Sequence, residues 1–154
     1  METDQSRGRS KLNEREKRQN SVAILIFGIE FVEMFYSRNF VDREDALVKL
    51  RSILKDENFE HKLGYNKTAR GVTLLLHRTV REQVFSVFNQ TAETIRCFFV
   101  DFIPGRVSIS EIGRSIDRLL PELLSKSGDP SPRVHNLGMH TILSIAAVTD
   151  VRDK

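Results

Sequence analysis

A chain of 154 residues that is 40% hydrophobic and 29% charged has the length and balance of one globular domain, and this excludes a disordered, fibrous or membrane-embedded polymer. Its net charge of +3, from 24 Lys+Arg against 21 Asp+Glu, permits an acidic partner without forming the dense basic field of a nucleic-acid binder. The single cysteine, Cys97, excludes an internal disulfide and suits a reducing compartment; its apolar neighbours predict a buried, inert thiol.

Residues 1–20, METDQSRGRSKLNEREKRQN, hold no aliphatic side chain besides Met1 and Leu12, and are expected to form a flexible polar tail ahead of a domain over residues 21–150. Residues 22–36, VAILIFGIEFVEMFY, are apolar nearly all round. They are too short for a membrane span and carry Glu30 and Glu33, so they read as one buried helix with a polar strip. Neither their position nor their flanks fit a signal peptide, and without secretion the sequons at Asn66 and Asn89 are expected to be chance matches.

The next stretch, SRNFVDREDALVKL, offers Asn39 as a helix cap, with Phe40 as the first helical residue and Asp42 favouring the positive helix end. Ala46, Leu47, Leu50, Ile53 and Leu54 then make one apolar stripe. Phe40 lies seven residues before Leu47 and shares its face, which predicts a core ring. Its place at the very end of the stripe leaves part of the ring able to project beyond the hairpin edge.

A polar connection, KDENFEHKLGYN, leads to a helix over about residues 67–80. Another starts near Arg81, with Val84, Val87, Phe88, Thr91, Ile95, Phe98 and Phe99 on one face. Pro104-Gly105 ends that pair. Ser108 with Glu111 forms a capping-box pattern, opening a helix with Ile109, Ile112, Ile116, Leu119, Leu120, Leu123 and Leu124 inward and a local kink expected at Pro121. Gly128 suits a helix stop, and Ser131-Pro132 suits the start of a last helix running to about Val148.

No stretch alternates with the period of a strand, so the fold is expected to be all-α. Three helical hairpins, at about residues 22–55, 67–102 and 108–148, lie near the spacing of HEAT-type repeats. An α-solenoid, an armadillo-like superhelix, is therefore preferred over a six-helix bundle, because each hairpin has more apolar face than it can bury alone. Chemistry-bearing patterns are absent. His61, His77, His135 and His140 lack zinc spacing, IPGRVSIS is no phosphate loop, and Glu30 with Glu33 has no acid/base partner. No enzyme activity, cofactor or metal is expected.

The turns carry a further pattern. SRNFVDREDALVKLRSIL resembles the first intra-repeat turn and second helix of a TOG (tumour overexpressed gene) domain, with an aromatic at the turn followed by Arg-x-x-Ala-Leu. LLPELLSKSGDPSPRV resembles the third-repeat turn, and YSRNFVDREDAL and SVFNQTAETI add similar phrases. The resemblance covers about residues 22–148, or three of the usual six repeats.

It implies HEAT repeats whose turn edge binds the tubulin heterodimer or a microtubule end, in a cytoplasmic centrosomal or ciliary protein with further partners there, and neither nucleic acid nor membrane. Carried over by position, the edge comprises Phe40, where the family usually has tryptophan, Arg43, Arg78 and Arg81 beside the second turn, and Lys126 and Arg133 beside the third. His135 stands where the family often has arginine. The bland alternatives remain open. The arginines are equally placed to pair with Glu44, Asp45 or Glu82, Lys126 to favour a helix C-terminus, and the whole chain to serve as a general helical-repeat scaffold without tubulin affinity.

Overall fold

The computed structural model describes residues 11–153, which contain helices and no strand. We number the helices α1 (Glu14–Gln19), α2 (Ser21–Phe27), α3 (Ile29–Met34), α4 (Phe40–Lys55), α5 (Tyr65–Thr79), α6 (Phe85–Cys97), α7 (Ile109–Ser127) and α8 (Pro132–Asp153), with a π-helical turn, Phe98–Phe102, extending α6. Helices α2, α5 and α7 pack side by side in one layer and α4, α6 and α8 in the other. This is the expected three-hairpin solenoid.

Polar ties between successive hairpins repeat with the expected spacing. In the first layer Arg70 Nη2 donates to Glu111 Oε1 at 2.8 Å, and Thr73 and Ser115 share a 2.7 Å hydrogen bond. In the second, Arg51 reaches the Gln90 carbonyl at 3.2 Å and Thr94 Oγ1 at 3.0 Å. The partners in these ties lie 39 to 43 residues apart. A periodic offset of this kind marks stacked repeats that contact only their neighbours.

The core lies between the layers, with Leu47, Leu50, Leu75, Leu76, Phe88, Ile95, Phe98 and Leu119 among its fully buried side chains. A chain of rings runs through the first two repeats. Phe35 meets Phe31 at 5.3 Å, Phe31 meets Phe27 at 5.5 Å, Phe27 stacks on Phe59 at 6.1 Å, and His61 joins Phe59 to Phe102 at 5.0 and 5.6 Å. Aromatic pairs at these separations add to the area they bury. They also clamp the 56–64 connection onto the solenoid.

Several expectations are corrected. The apolar run at 22–36 is two helices, because Gly28 adopts φ +89°, a conformation glycine reaches without steric penalty; Leu25 and Ile29 are exposed. The expected flexible tail lies outside the described residues over 1–10, whereas from Leu12 onward the chain is held. Leu12 is buried, and Asn13 and Glu16 complete a capping box around α1.

At α7, Ser108 Oγ accepts the Glu111 N–H at 3.3 Å, but the Glu111 carboxylate turns to Arg70, and the Ser108 N–H goes instead to Asn66 Oδ1 at 2.9 Å. Only half of the capping box forms. The helix is continuous through Pro121. Ile109 is 74% exposed and Leu124 53% exposed rather than inward, since no further helix packs on that side among the described residues.

Candidate protein-binding edge

Three intra-hairpin turns, at residues 35–39, 80–84 and 128–131, line one edge of the solenoid. Their local geometry follows from short polar side chains. Ser37 Oγ donates to Asp42 Oδ2 at 2.7 Å and accepts the Asn39 N–H at 3.1 Å, while Asn39 Oδ1 accepts the Val41 N–H at 3.0 Å, so α4 starts where the cap predicts. In the third turn Asp129 Oδ1 accepts the Ser131 N–H at 2.8 Å, and His135 Nδ1 bonds the Ser127 carbonyl. Such side-chain bonds take over the backbone groups that helix ends leave open.

The six residues assigned to the edge separate into two sets. Arg43 forms a fork on Glu82, Nε to Oε2 at 2.9 Å and Nη2 to Oε1 at 2.8 Å, and Nη1 donates to the Ser37 carbonyl at 2.7 Å. The Arg43 and Glu82 side chains are only 14% and 15% exposed. Arg78 donates to the Phe35 carbonyl at 3.1 Å and lies 3.6 Å over the Tyr36 ring. Lys126 Nζ donates to the Glu82 carbonyl at 2.6 Å, with the Phe88 ring 5.1 Å away. These three cations brace each turn against the next.

Phe40 and Arg81 face outward. The Phe40 ring remains 45% exposed at the mouth of the first turn, with Val41 exposed beside it. Arg81 is exposed and makes no hydrogen bond or ion pair with another described residue. Arg133 is intermediate: its guanidinium lies 4.1 Å over the Phe85 ring, an arrangement that fixes the side chain while leaving its donors to solvent. His135 is exposed.

Sequence reasoning offered Glu82 only as one candidate partner, whereas the structure makes it the joint of all three turns. Tyr36 was missed as well; its hydroxyl accepts from Asn20 Nδ2 at 2.7 Å while its face holds Arg78. Glu82 carried the weaker signal of being an acid in an otherwise basic turn; Tyr36 carried none. Behind the edge, His77 lies 3.7 Å from Glu122. Burial lowers its pKa, Arg118 and Arg81 lower it further, and Glu122 opposes them, so the imidazole is neutral at pH 7.

Among the described residues, no group of three or more His, Cys, Asp or Glu side chains is placed to hold a metal, and no helix is long and apolar enough to cross a membrane. Cys97 is buried, and burial pushes its thiol pKa up, which suppresses the thiolate that reactivity requires. The edge itself presents the half-exposed Phe40 ring and the exposed Arg81 and Arg133 side chains.

Known proteins share this fold. The family model described as the TOG domain of centrosomal protein CEP104 matches residues 17–154. The human centrosomal protein of 104 kDa is 27% identical over 143 residues, covering 92% of this chain and 16% of its own length; the rat protein shows the same figures. A solved CEP104 TOG domain superposes with a TM-score of 0.79 at 26% identity, covering 90% of this chain and 55% of that one. The solved TOG domain of human Cep104 gives 0.76, with 89% and 54% covered. The chain thus spans about half of the solved domains and under a fifth of the full-length relatives. With a family match across both layers and all three turns, the chain belongs to the CEP104 TOG-domain family.

Proposed function

We propose that this chain is a tubulin-binding module whose turn edge meets an acidic surface of the tubulin heterodimer, within a centrosomal or ciliary protein. Family membership supports this reading. The single observation that carries it is the outward placement of Phe40 and Arg81 on an edge where Arg43, Arg78 and Lys126 are committed to bracing. Phe40 supplies an apolar anchor, and Arg81 with Arg133 supplies donors for carboxylates, where a planar guanidinium makes paired, charge-assisted bonds. Arg43, Arg78 and Lys126 act indirectly, by fixing the spacing of the turns.

The test is co-elution of the purified chain with tubulin heterodimer, repeated with the triple variant Phe40→Ala, Arg81→Ala, Arg133→Ala. Co-elution that the triple variant loses while keeping its helical circular dichroism supports the proposal. Equal co-elution by both proteins sinks the assigned edge. A second reading, a general helical scaffold, draws on the exposed apolar side chains of Leu124, Met139 and Leu143 on α7 and α8; it requires that no tubulin co-elutes at all.

A further inference from the structure

A groove of about 810 Å³ crosses the C-terminal end of α5 and touches all three repeats, from Asn20 and Tyr36 past His77 to Arg118 on α7. Four arginines line it, Arg43, Arg78, Arg81 and Arg118, against one carboxylate, Glu82. That carboxylate is already held by the Arg43 fork. Arg81 and Arg118 make no hydrogen bond or ion pair with another described residue, yet both lower the pKa of His77 between them. Arg81, in the 80–84 turn, and Arg118, on α7, both line the groove, so their charges act on the same space.

We propose that this groove binds an acidic peptide segment, an extended run of Asp or Glu side chains laid across the end of α5. The spread of the cations decides the class of ligand. A single phosphate needs donors that converge, but the Arg43 fork is occupied and Arg81 and Arg118 sit on separate elements. A nucleic-acid strand needs open aromatic faces for its bases, and the Tyr36 face is covered by Arg78 at 3.6 Å. An extended peptide asks only for successive cations with amide groups between them, and the exposed Gln19 and Gln83 supply the amides. The inference rests on the reading of the edge as acid-binding and extends it to Arg118, outside the proposed tubulin contact.

Fluorescence anisotropy of a labelled oligoglutamate peptide with the whole chain tests it, alongside tubulin co-elution on the same samples. The expected result is saturable binding that weakens with salt, falls about tenfold in Arg118→Ala, the loss of roughly one charge-assisted contact, and is largely retained in Arg118→Lys. Arg118 is exposed, so the melting temperature should not change. Absence of binding by the unaltered chain, equal affinity in Arg118→Ala, or displacement by inorganic phosphate or a single-stranded oligonucleotide at matching concentration would overturn the proposal. Peptide binding without tubulin co-elution would keep the groove and remove the tubulin reading; tubulin co-elution without peptide binding would do the reverse.

Discussion

Glu82 holds the edge together at the scale of one residue: its carboxylate takes both arms of the Arg43 fork and its carbonyl takes Lys126. Replacing Arg43 by Ala strands a mostly buried carboxylate, which costs more than the bond itself contributes. We expect a loss of about 2 kcal/mol, read as a melting temperature lower by roughly 4–8 °C. An unchanged melting curve would mean that the fork is an ordinary surface pair.

Little of this bracing is legible in the sequence, because Arg43 and Glu82 are 39 residues apart and Lys126 and Glu82 are 44 apart. Only stacking brings them together. Phe40 shows the converse limit. Counting helical phase correctly placed it on the face of Leu47, which is fully buried, but the ring stays half exposed because it stands at the first residue of α4, where the layer ends.

Elements meet at the distance their smallest residues allow. Helix α8 crosses the end of α7 at Gly138, where an added Cβ would lie 3.1 Å from the Ser127 nitrogen and 3.3 Å from the Lys126 carbonyl carbon. Gly113, inside α7, has nothing within 4 Å of the same position. Gly138→Ala should therefore destabilise the third hairpin by about 1–3 kcal/mol through overpacking, whereas Gly113→Ala should stabilise the chain by roughly 0.5–1 kcal/mol through helix propensity. Urea unfolding of both variants checks the pair of signs, and a loss of stability in Gly113→Ala would contradict the helical geometry of α7.

Hairpin boundaries were readable at this scale because caps and breakers are local. Asn39, Ser108 and Pro132 stand where they were expected to open α4, α7 and α8. The break at Gly28 was not, since it lies inside an unbroken apolar run and its φ of +89° is a backbone property. Nor was the π turn at Phe98–Phe102, which shifts the Ile103 N–H to the Phe98 carbonyl at 2.9 Å; nothing in the run FFVDF distinguishes it from an α-helical turn.

The whole molecule depends on pH through two histidines held neutral. Burial lowers the His61 pKa, with Arg106 adding to it, and burial with Arg118 and Arg81 lowers that of His77. In the unfolded chain both return to about 6.5. Below that value the unfolded state binds protons that the folded state refuses, so stability is fully present above about pH 6.5 and is lost as pH falls through the lower folded values. The melting temperature should drop between pH 7 and pH 5, and the slope should flatten in the double variant His61→Phe, His77→Gln. A slope that the double variant leaves unaltered would assign the acid sensitivity to other groups.

The solenoid itself was legible, since three near-equal apolar hairpins leave few ways to bury their faces. Its outer face was not: Ile109 and Leu124 fit an inward stripe by phase, and phase alone does not say whether another helix lies beyond them. In the proposed function the turn edge presents Phe40 to tubulin rather than burying it. Calorimetric titration of tubulin heterodimer into the unaltered chain and into Phe40→Ala, with melting temperatures measured on both, tests it most directly. We expect binding by the unaltered chain, and in Phe40→Ala a melting temperature within a few degrees of it with clearly weaker tubulin affinity. A large drop in melting temperature with affinity unchanged, or no binding by the unaltered chain, would contradict it.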